Sequence, residues 1–412
     1  MLNWANQFDI FCFLDNHGYQ QAHHTHECLL AAGSLHEVES NSGKAFTALR
    51  DFSDKHKDWI FGHFSYDLKN EIESLHSSHP DHIGFPDLSF FVPEFLIELN
   101  EDSIRIGSCN SDHLKVCTEI LNPRIYSGQN ANSIEVKQRF SRKEYVEAVE
   151  QLQAHILFGD CYEINFCQEF FSEHAIIDPL FTYELLSKAS PMPFGALYKR
   201  NHHFLLCASP ERYLKKKGGR IISQPIKGTA SRNLEHAILD DELKEALFRS
   251  PKDRSENIMI VDLVRNDLSR ICEEGSVSVD ELFGIYSFPF VHQMISSVSG
   301  ILSPDVHWTD AVKATFPMGS MTGAPKKKAL EIIEQYEKTK RGLFSGALGY
   351  CSTDGDFDFN VVIRSILYNQ QNQYLSFQAG SAITFYSDPD KEYEECLVKA
   401  SAISNVLANK KP

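Results

Sequence analysis

The stretch Ser345–Phe385, SGALGYCSTDGDFDFNVVIRSILYNQQNQYLSFQAGSAITF, decides the fold class of this 412-residue chain. It contains three runs that are rich in β-branched, aromatic and other apolar residues. The segments between the runs, TDGD at 353–356 and NQQNQ at 369–373, have the composition of hairpin turns. Because hairpins join antiparallel strands, the stretch predicts an antiparallel sheet rather than a doubly wound parallel one.

Helices are predicted between the strand-forming segments. Ser141 and Glu144 form a capping box, and apolar residues at helical spacing follow until Gly159. A second helix is predicted after Gly323-Ala324-Pro325, with Pro325 in its first turn. A third is predicted from about Lys391 to Leu407. Hairpins that alternate with helices predict an α/β (α+β) fold, a layered sandwich of mostly antiparallel sheets.

A polar segment divides the chain. Residues 122–140 are polar and contain a proline and a Ser-Gly pair, which predicts a connection between two parts. We expect residues 1–121 to form the N-terminal part of the sandwich and residues 141–412 to form the catalytic region.

The net charge limits the partners. The formal net charge is -16 and the isoelectric point is about 5.6, so the surface would repel nucleic acid. An anionic substrate would need a site with its own positive charge or metal ion. No apolar run is long enough to cross a membrane, and the N-terminus lacks the pattern of a signal peptide. The ten cysteines include no C-x-x-C pair, which favours free thiols and a cytoplasmic location.

Two single residues could carry chemistry. Glu211, in Ser209-Pro210-Glu211-Arg212, follows an apolar strand directly, where burial would raise its pKa and suit it to general-acid work. Lys227, in QPIKGT at 224–229, would be a nucleophile only if burial or a nearby cation lowered its ordinary pKa of about 10.4. A solvated turn glutamate and a solvated surface lysine are the alternative interpretations.

Two helices each offer a pair of carboxylates. Asp253 and Glu256 are three residues apart, as are Glu392 and Glu395, and Lys399 lies four residues beyond Glu395. Oxygen ligands without sulfur or imidazole suit Mg²⁺. The alternatives are an acidic helix start that suits the helix dipole and an ordinary salt bridge between Glu395 and Lys399.

Six motifs occur together in the order typical of one family: SPER, PIKGT, ENIMIVDLVRNDL, FPMGSMTGAPK, GALGY with VVIRS, and SDPDKEYEECLVKA. On these motifs the chain resembles the chorismate-utilising enzymes. The resemblance is strong over residues 140–408 and weaker over the first third, through FGHFSYDL. It implies one large β-α-β-β-α sandwich around a deep cleft that binds Mg²⁺ and chorismate.

The resemblance also implies roles for individual residues. Glu256 and Glu395 are expected to be direct magnesium ligands, with Asp253 and Glu392 in supporting positions. Glu211 is expected to protonate the departing C4 hydroxyl. The residues expected to bind the substrate are Arg364, which would pair with a carboxylate, and Thr229, Thr322, Gly323, Gly380, Lys399 and Gln293.

Two positions distinguish the reactions of this family. Members that form anthranilate typically have alanine at the position of Lys227, whereas members that aminate chorismate at C4 have a lysine that attacks C2. Members that form isochorismate or salicylate have a water-activating lysine at the position of Glu163, where a carboxylate could not substitute for it. Glu163 is then either a polar cleft residue or a structural partner of a neighbouring strand, and either His292 or Gln293 faces the cleft.

The ammonia source is not encoded in a recognisable motif. The chain has no G-x-C-x-G segment of a glutaminase, so the resemblance implies a separate glutamine amidotransferase subunit. The alternatives are a member that forms anthranilate, a member that forms isochorismate or salicylate, and a non-catalytic chorismate-binding protein. The glutamates at 211, 256 and 395 argue against the last.

Overall fold

The computed structural model describes residues 1–19, 23, 26–109, 113–122, 128 and 133–408. Within those ranges the helices are α1 (Leu2–Ala5), α2 (Ala45–Lys55), α3 (Lys69–Ile72), α4 (His113–Leu121), α5 (Arg142–Phe158), α6 (Pro179–Ala189), α7 (Ala237–Arg249), α8 (Pro251–Ser269), α9 (Trp308–Thr315), α10 (Lys326–Tyr336) and α11 (Pro389–Leu407). Among the helices of these ranges, none combines the length and the apolar character that crossing a bilayer requires.

The strands in the same ranges are β1 (Ile10–Asp15), β2 (Cys28–Ala32), β3 (His36–Ser40), β4 (Ile60–Phe64), β5 (Leu88–Val92), β6 (Phe95–Asn100), β7 (Ser103–Ser108), β8 (Lys137–Gln138), β9 (Glu163–Ser172), β10 (Phe194–Arg200), β11 (His203–Ser209), β12 (Arg212–Lys217), β13 (Arg220–Gln224), β14 (Ile226–Ser231), β15 (Ser278–Ser287), β16 (Val291–Ile301), β17 (Gly323–Ala324), β18 (Ala347–Cys351), β19 (Phe357–Asn360), β20 (Ser365–Asn369) and β21 (Tyr374–Ile383).

The strands form two sheets. Sheet A has the order β17-β9-β21-β20-β11-β10-β1-β2-β6-β7, with β8 added beside β9. Sheet B has the order β14-β16-β13-β12-β19-β18-β4-β5-β3, with β15 also beside β16. The strand pairs are antiparallel, including β18 with β19 and β20 with β21, which are the two hairpins predicted from the turns. The predicted antiparallel sandwich is thus confirmed.

The apolar faces of the two sheets determine the order in which sheets and helices are layered. The rings of His63 in β4 and Tyr198 in β10 lie 5.5 Å apart and join the inner faces of the two sheets. Phe64, the next residue along β4, packs on Trp308 of α9, so helices cover the outer face of sheet B. The outer face of sheet A shares a second core with α5, α6, α10 and α11. The order is therefore helix, sheet, sheet, helix.

The predicted ends of α5 are confirmed. Ser141 and Glu144 make the predicted capping box at the start of α5, and Gly159 ends the helix with φ of 88°. The prediction for Pro325 was wrong. Pro325 is extended and precedes α10, because Gly323 and Ala324 pair with β9 and hold the chain in a strand up to that point.

The predicted division of the chain remains a prediction. Strands from residues 1–121 lie in both sheets: β1, β2, β6 and β7 in sheet A, and β3, β4 and β5 in sheet B. Much of the predicted connection, residues 123–127 and 129–132, lies outside the described residues. Its last part contributes β8 to sheet A.

Candidate active site

Lys227 lies on β14, at the edge of sheet B. The register of β14 against β16 shifts between Ile226 and Thr229, so a bulge surrounds the lysine. Gly228 has φ of 93°, and a Cβ atom there would lie 3.0 Å from Asp253. A left-handed backbone and this close approach both require glycine. The bulge thus brings Gly228 against Asp253 of α8, and the adjacent Lys227 side chain is buried.

Glu163 is the hydrogen-bond acceptor for Lys227. The Lys227 Nζ donates to Glu163 Oε1 over 2.7 Å, and both side chains are buried. Among the described residues no other atom accepts from this ammonium. Glu163 begins β9, so the bond connects sheet B with sheet A. The glutamate and lysine that distinguish the reactions of the family are therefore direct partners.

The charges around Lys227 favour its protonated form. Burial alone would lower the pKa of Lys227, but the carboxylates of Glu163, Glu256 and Glu211 together outweigh burial and raise it. The sequence prediction required a lowered pKa. In the protein alone, Lys227 is an ammonium, and it becomes a nucleophile only when it loses a proton.

Glu211 has the properties of a carboxylic acid. It is buried at the loop between β11 and β12, and Ser320 Oγ donates to its Oε1 over 2.6 Å. Burial raises the pKa of Glu211 to about 7, although the hydrogen bond from Ser320 and the charge of Lys227 oppose the change. The sequence predicted this rise. A protonated Glu211 near neutral pH can donate a proton.

Three glutamates surround the ammonium of Lys252. Its Nζ lies 3.1 Å from Glu392 Oε1, 4.0 Å from Glu256 Oε1 and 4.0 Å from Glu395 Oε2. Glu256 belongs to α8, whereas Glu392 and Glu395 belong to α11. We call these four residues the Lys252 cluster. It brings together the two helices whose carboxylates the sequence proposed as metal ligands.

The carboxylates of the cluster differ in burial. Glu256 and Glu392 are buried, whereas 42% of the Glu395 side chain is exposed. Burial raises the pKa of Glu256 to about 7. Burial also acts to raise the pKa of Glu395, but the charge of Lys399, whose Nζ lies 2.7 Å away, outweighs it and the pKa falls. Glu395 is thus the most accessible carboxylate and the one with the strongest cationic partner.

The donor set of the Lys252 cluster suits Mg²⁺. Glu256 Oε1 and Glu392 Oε2 are buried and accept no hydrogen bond, and such atoms are expected to have a partner. The three glutamates of the cluster offer only oxygen atoms as metal ligands, and Mg²⁺ prefers oxygen ligands. Within the described ranges, however, no group of three or more His, Cys, Asp or Glu side chains is arranged to hold a metal. The carboxylates are gathered around an ammonium instead.

Arg364 lies close enough to Glu395 of this cluster for the two charges to interact. It lies between β19 and β20 with φ of 53°, a conformation that is rare for residues other than glycine and is often found at functional sites. Burial lowers the pKa of Arg364, and only the charge of Glu395 opposes the change. Among the described residues, none accepts a hydrogen bond from its guanidinium. A substrate carboxylate would satisfy it.

The other predicted substrate contacts are in different settings. Lys399 Nζ donates to the carbonyl of Gly380 over 2.9 Å. Gly323 has no room for a side chain, because a Cβ atom would lie 2.1 Å from the Glu163 carbonyl oxygen. The Thr322 hydroxyl is buried and bonds to backbone carbonyls in its own turn. Thr229 is exposed.

His292 and Gln293 differ in their contacts. The ring nitrogens of His292 bond to Ser287 Oγ at 2.8 Å and Asp240 Oδ1 at 3.1 Å. Gln293 is buried, and its Oε1 has no hydrogen-bond partner. Gln293 is therefore the member of the pair with a polar atom available to a ligand.

Two residues of the site escaped the sequence analysis. Lys252 lies four residues before Glu256, a spacing that could have indicated the contact. Ser320, which donates to Glu211, lies within the short 3₁₀ turn Gly319–Met321, and no spacing rule indicates it. A supporting contact of this kind depends on tertiary structure alone.

Comparison with known proteins identifies the class. The family model "chorismate binding enzyme" matches residues 11–405. The chain therefore belongs to the chorismate-binding enzymes. It is 34% identical over 360 residues to aminodeoxychorismate synthase component 1 of Salmonella typhimurium, covering 84% of this chain and 76% of the relative. The protein of that name from Escherichia coli is 32% identical over 348 residues, with the same coverage.

Solved structures confirm the architecture. Anthranilate synthase component I from Streptococcus pneumoniae superposes with a TM-score of 0.82 at 26% identity, covering 94% of this chain and 95% of that one. The menaquinone-specific isochorismate synthase of Escherichia coli, at 16% identity, superposes with a TM-score of 0.78 over 98% of this chain and 91% of that one. The second likeness concerns the fold alone.

Proposed function

We propose that this chain is an aminodeoxychorismate synthase component 1, which converts chorismate and ammonia to 4-amino-4-deoxychorismate. The observation that carries the proposal is Lys227, a buried lysine bonded to Glu163 with Glu211 and Glu256 close enough to act on its pKa. The similarity to proteins of that name over 84% of the chain supports it. The product is a precursor of 4-aminobenzoate and folate.

The substrate would lie between the Lys252 cluster and Lys227. Magnesium, when bound, would attach a carboxylate of chorismate to the protein and balance the acidic cluster. Glu256 and Glu395 would hold it, with Glu392 and Asp253 in support. Arg364 would pair with a substrate carboxylate. These contacts would fix the ring so that C2 faces Lys227 and the C4 hydroxyl faces Glu211.

The reaction would have two displacements. The neutral amine of Lys227 forms a bond to C2, the two conjugated ring double bonds shift, and the C4–O bond breaks while Glu211 gives its proton to the departing hydroxyl, which leaves as water. Ammonia then forms a bond to C4, the two double bonds shift back, and the C2–N bond breaks to release Lys227 as a neutral amine. Two displacements divide one difficult step into two easier ones. Glu211 is reprotonated by the new ammonium group.

A second protein would supply ammonia. The name "component 1" of the relatives is consistent with a partner component. We propose that the partner is a glutamine amidotransferase and that free ammonium can replace it. We also propose that the reaction takes place in the cytoplasm, which suits ten cysteines that are all unpaired.

Product identification tests the proposal. Purified protein would be incubated with chorismate, Mg²⁺ and ammonium, and the products analysed by mass spectrometry. We expect an aminated chorismate that retains its enolpyruvyl group. Anthranilate with pyruvate would indicate the anthranilate-forming reaction, and isochorismate or salicylate would indicate addition of water. Absence of product even with an amidotransferase and glutamine would favour a non-catalytic chorismate-binding protein.

A further inference from the structure

Glu163 has an unusual environment for a structural carboxylate. Its Oε1 accepts from Lys227 over 2.7 Å, but its Oε2 is buried and has no hydrogen-bond partner. A buried ion pair stabilises a protein only when the remaining hydrogen-bonding positions are also satisfied. The ion pair between Glu163 and Lys227 therefore contributes little to stability. The burial of Glu163 beside the Lys227 amine needs another explanation.

The backbone holds Glu163 rigidly. Glu163 pairs with Ala324 on one side, and its neighbour Ile164 pairs with Ile383 on the other, so the residue lies inside a three-strand ladder. The carbonyl of Glu163 also lies against Gly323, where no side chain would fit. The backbone that carries the Glu163 side chain is therefore fixed by the end of sheet A.

Lys227 must lose a proton before it can react. An ammonium has no lone pair, and the surrounding carboxylates of Glu163, Glu211 and Glu256 favour the ammonium. Glu211 must itself carry a proton to release water, and Glu256 belongs to the Lys252 cluster. Glu163 is the one carboxylate in a described hydrogen bond with the Lys227 amine.

We propose that Glu163 is the proton acceptor that converts the Lys227 ammonium to the reactive amine. This inference rests on the proposed function. The proton crosses the existing hydrogen bond from Nζ to Oε1, which leaves a neutral amine and a neutral carboxylic acid. The amine lone pair then forms the C2–N bond as the C4–O bond breaks. When the lysine is released, it recovers its proton from Glu163, and the net reaction remains chorismate plus ammonia giving aminodeoxychorismate plus water.

The Glu163→Gln variant keeps the hydrogen bond from Lys227 but removes the group that could accept its proton. The amide oxygen can still accept from Lys227, and the amide nitrogen can occupy the side of Oε2, but the amide cannot take a proton at neutral pH. The readout is the covalent adduct of Lys227, measured by intact-protein mass spectrometry after mixing with chorismate and Mg²⁺ without ammonia. We expect Glu163→Gln to slow adduct formation at neutral pH by about a hundredfold.

The pH dependence provides the second readout. Without Glu163, the Lys227 proton must leave to solvent, so the rate of adduct formation in Glu163→Gln, divided by the wild-type rate at the same pH, should rise with the pH. The ratio cancels the decline in the acid form of Glu211, which affects both proteins. Glu173→Gln is the control, since Glu173 follows the same strand but is exposed and pairs with Lys137. Thermal unfolding would confirm that both variants fold.

The outcomes are distinct. A Glu163→Gln protein that forms the adduct as fast as the wild type, with the same pH dependence, would overturn the proposal. So would a ratio of the Glu163→Gln rate to the wild-type rate that does not rise at alkaline pH. If the wild-type protein forms no adduct but makes aminodeoxychorismate, the covalent step is wrong and the proposal falls with it. If neither adduct nor product forms, the proposed function itself has failed.

Discussion

Two buried glutamates, each paired with a cation, lie six residues apart on β9. Glu163 bonds to Lys227 across the two sheets, and Glu169 bonds to Arg139 near the other end of the strand. Because the two glutamates are separated by an even number of residues, they lie on the same face of sheet A. One strand thus carries two similar pairs in two different environments.

The two pairs differ in how completely they are satisfied. Glu169 Oε2 accepts from two nitrogens of Arg139, at 2.6 and 3.0 Å, and its Oε1 accepts from Ser376 at 2.8 Å and Tyr374 at 3.2 Å. The Arg139 guanidinium also stacks on the ring of Phe171. Glu163 has one partner and one unpaired oxygen. The satisfied pair is suited to holding the fold, and the unsatisfied pair to chemistry.

Removing the cation of the Glu163 pair should have the largest effect. Lys227→Ala is expected to lower the rate of amination by about 10⁴-fold or more, since a residue that forms a covalent intermediate cannot be replaced. The measurement is aminodeoxychorismate formation with ammonium, Mg²⁺ and chorismate. Unfolding by urea should be altered little. A variant that keeps a tenth of the activity would mean that Lys227 is not the nucleophile.

A substitution in the Glu169 pair should lower the stability of the protein. Glu169→Gln removes the charge that pairs with Arg139 and leaves one accepting atom where there were two, so the free energy of unfolding should fall by about 3 kcal/mol. Glu163→Gln should change it by about 1 kcal/mol or less, because the amide nitrogen has an unpaired side to occupy. Urea unfolding of both variants gives the comparison. Equal losses would show that the two pairs have the same structural role.

Glu211 is a third buried carboxylate, and its activity is expected to depend on pH. Burial raises the pKa of Glu211 to about 7, so its acid form decreases as the pH rises through 7, and kcat/KM should decrease with it. Glu211→Gln should lose about a hundredfold in rate and no longer show this decrease. A pH profile of both proteins provides the test. An unchanged profile in the variant would remove Glu211 from the acid role.

The same pKa has a consequence for stability. Folded Glu211 holds its proton to a higher pH than an unfolded glutamate, so stability falls as the pH rises between the two pKa values. Glu211→Gln has no proton to lose at this position and should show a smaller fall, since Glu256, whose pKa burial also raises to about 7, still contributes to it. Urea midpoints at mildly acidic and mildly alkaline pH measure it.

Sequence patterns predicted the features of the fold that depend on residues close together in the chain. Hairpin turns and the capping box at Ser141 were correct because short-range rules determine them. The buried acid character of Glu211 could also be expected from its place after an apolar strand. The partner of Lys227 could not be predicted from the sequence. Glu163 and Lys227 are 64 residues apart, and their contact depends on the packing of two sheets.

The charge state of Lys227 shows the same limit. Sequence reasoning required a lowered pKa for a nucleophile, whereas the three surrounding carboxylates raise it. Which charges face a buried group depends on tertiary structure, and each contributes to its pKa over several ångströms. The resemblance to a family indicated which residue reacts, but only the geometry shows that a proton must first be removed.

The Lys252 cluster provides the smallest of the expected effects. Its ammonium lies within 4.0 Å of Glu256, Glu392 and Glu395, so a divalent cation held by these carboxylates must displace it or bind beside it. Lys252→Met keeps the length of the side chain and removes the charge. The affinity for Mg²⁺ in the absence of chorismate should rise about thirtyfold, since a unit charge about 4 Å from a divalent cation costs about 2 kcal/mol in a largely hydrated site.

Calorimetric titration of Mg²⁺ into the wild-type and variant proteins measures this difference. Lys391→Met is the matched control, since Lys391 lies on the same helix as Glu392 but is exposed and pairs with Asp388 at 3.7 Å. An unchanged affinity in Lys252→Met would mean that the ammonium moves aside at no cost. A weaker affinity would mean that Lys252 holds Glu392 in place for the metal, in which case the cluster would resemble the satisfied Glu169 pair more than the reactive Glu163 pair.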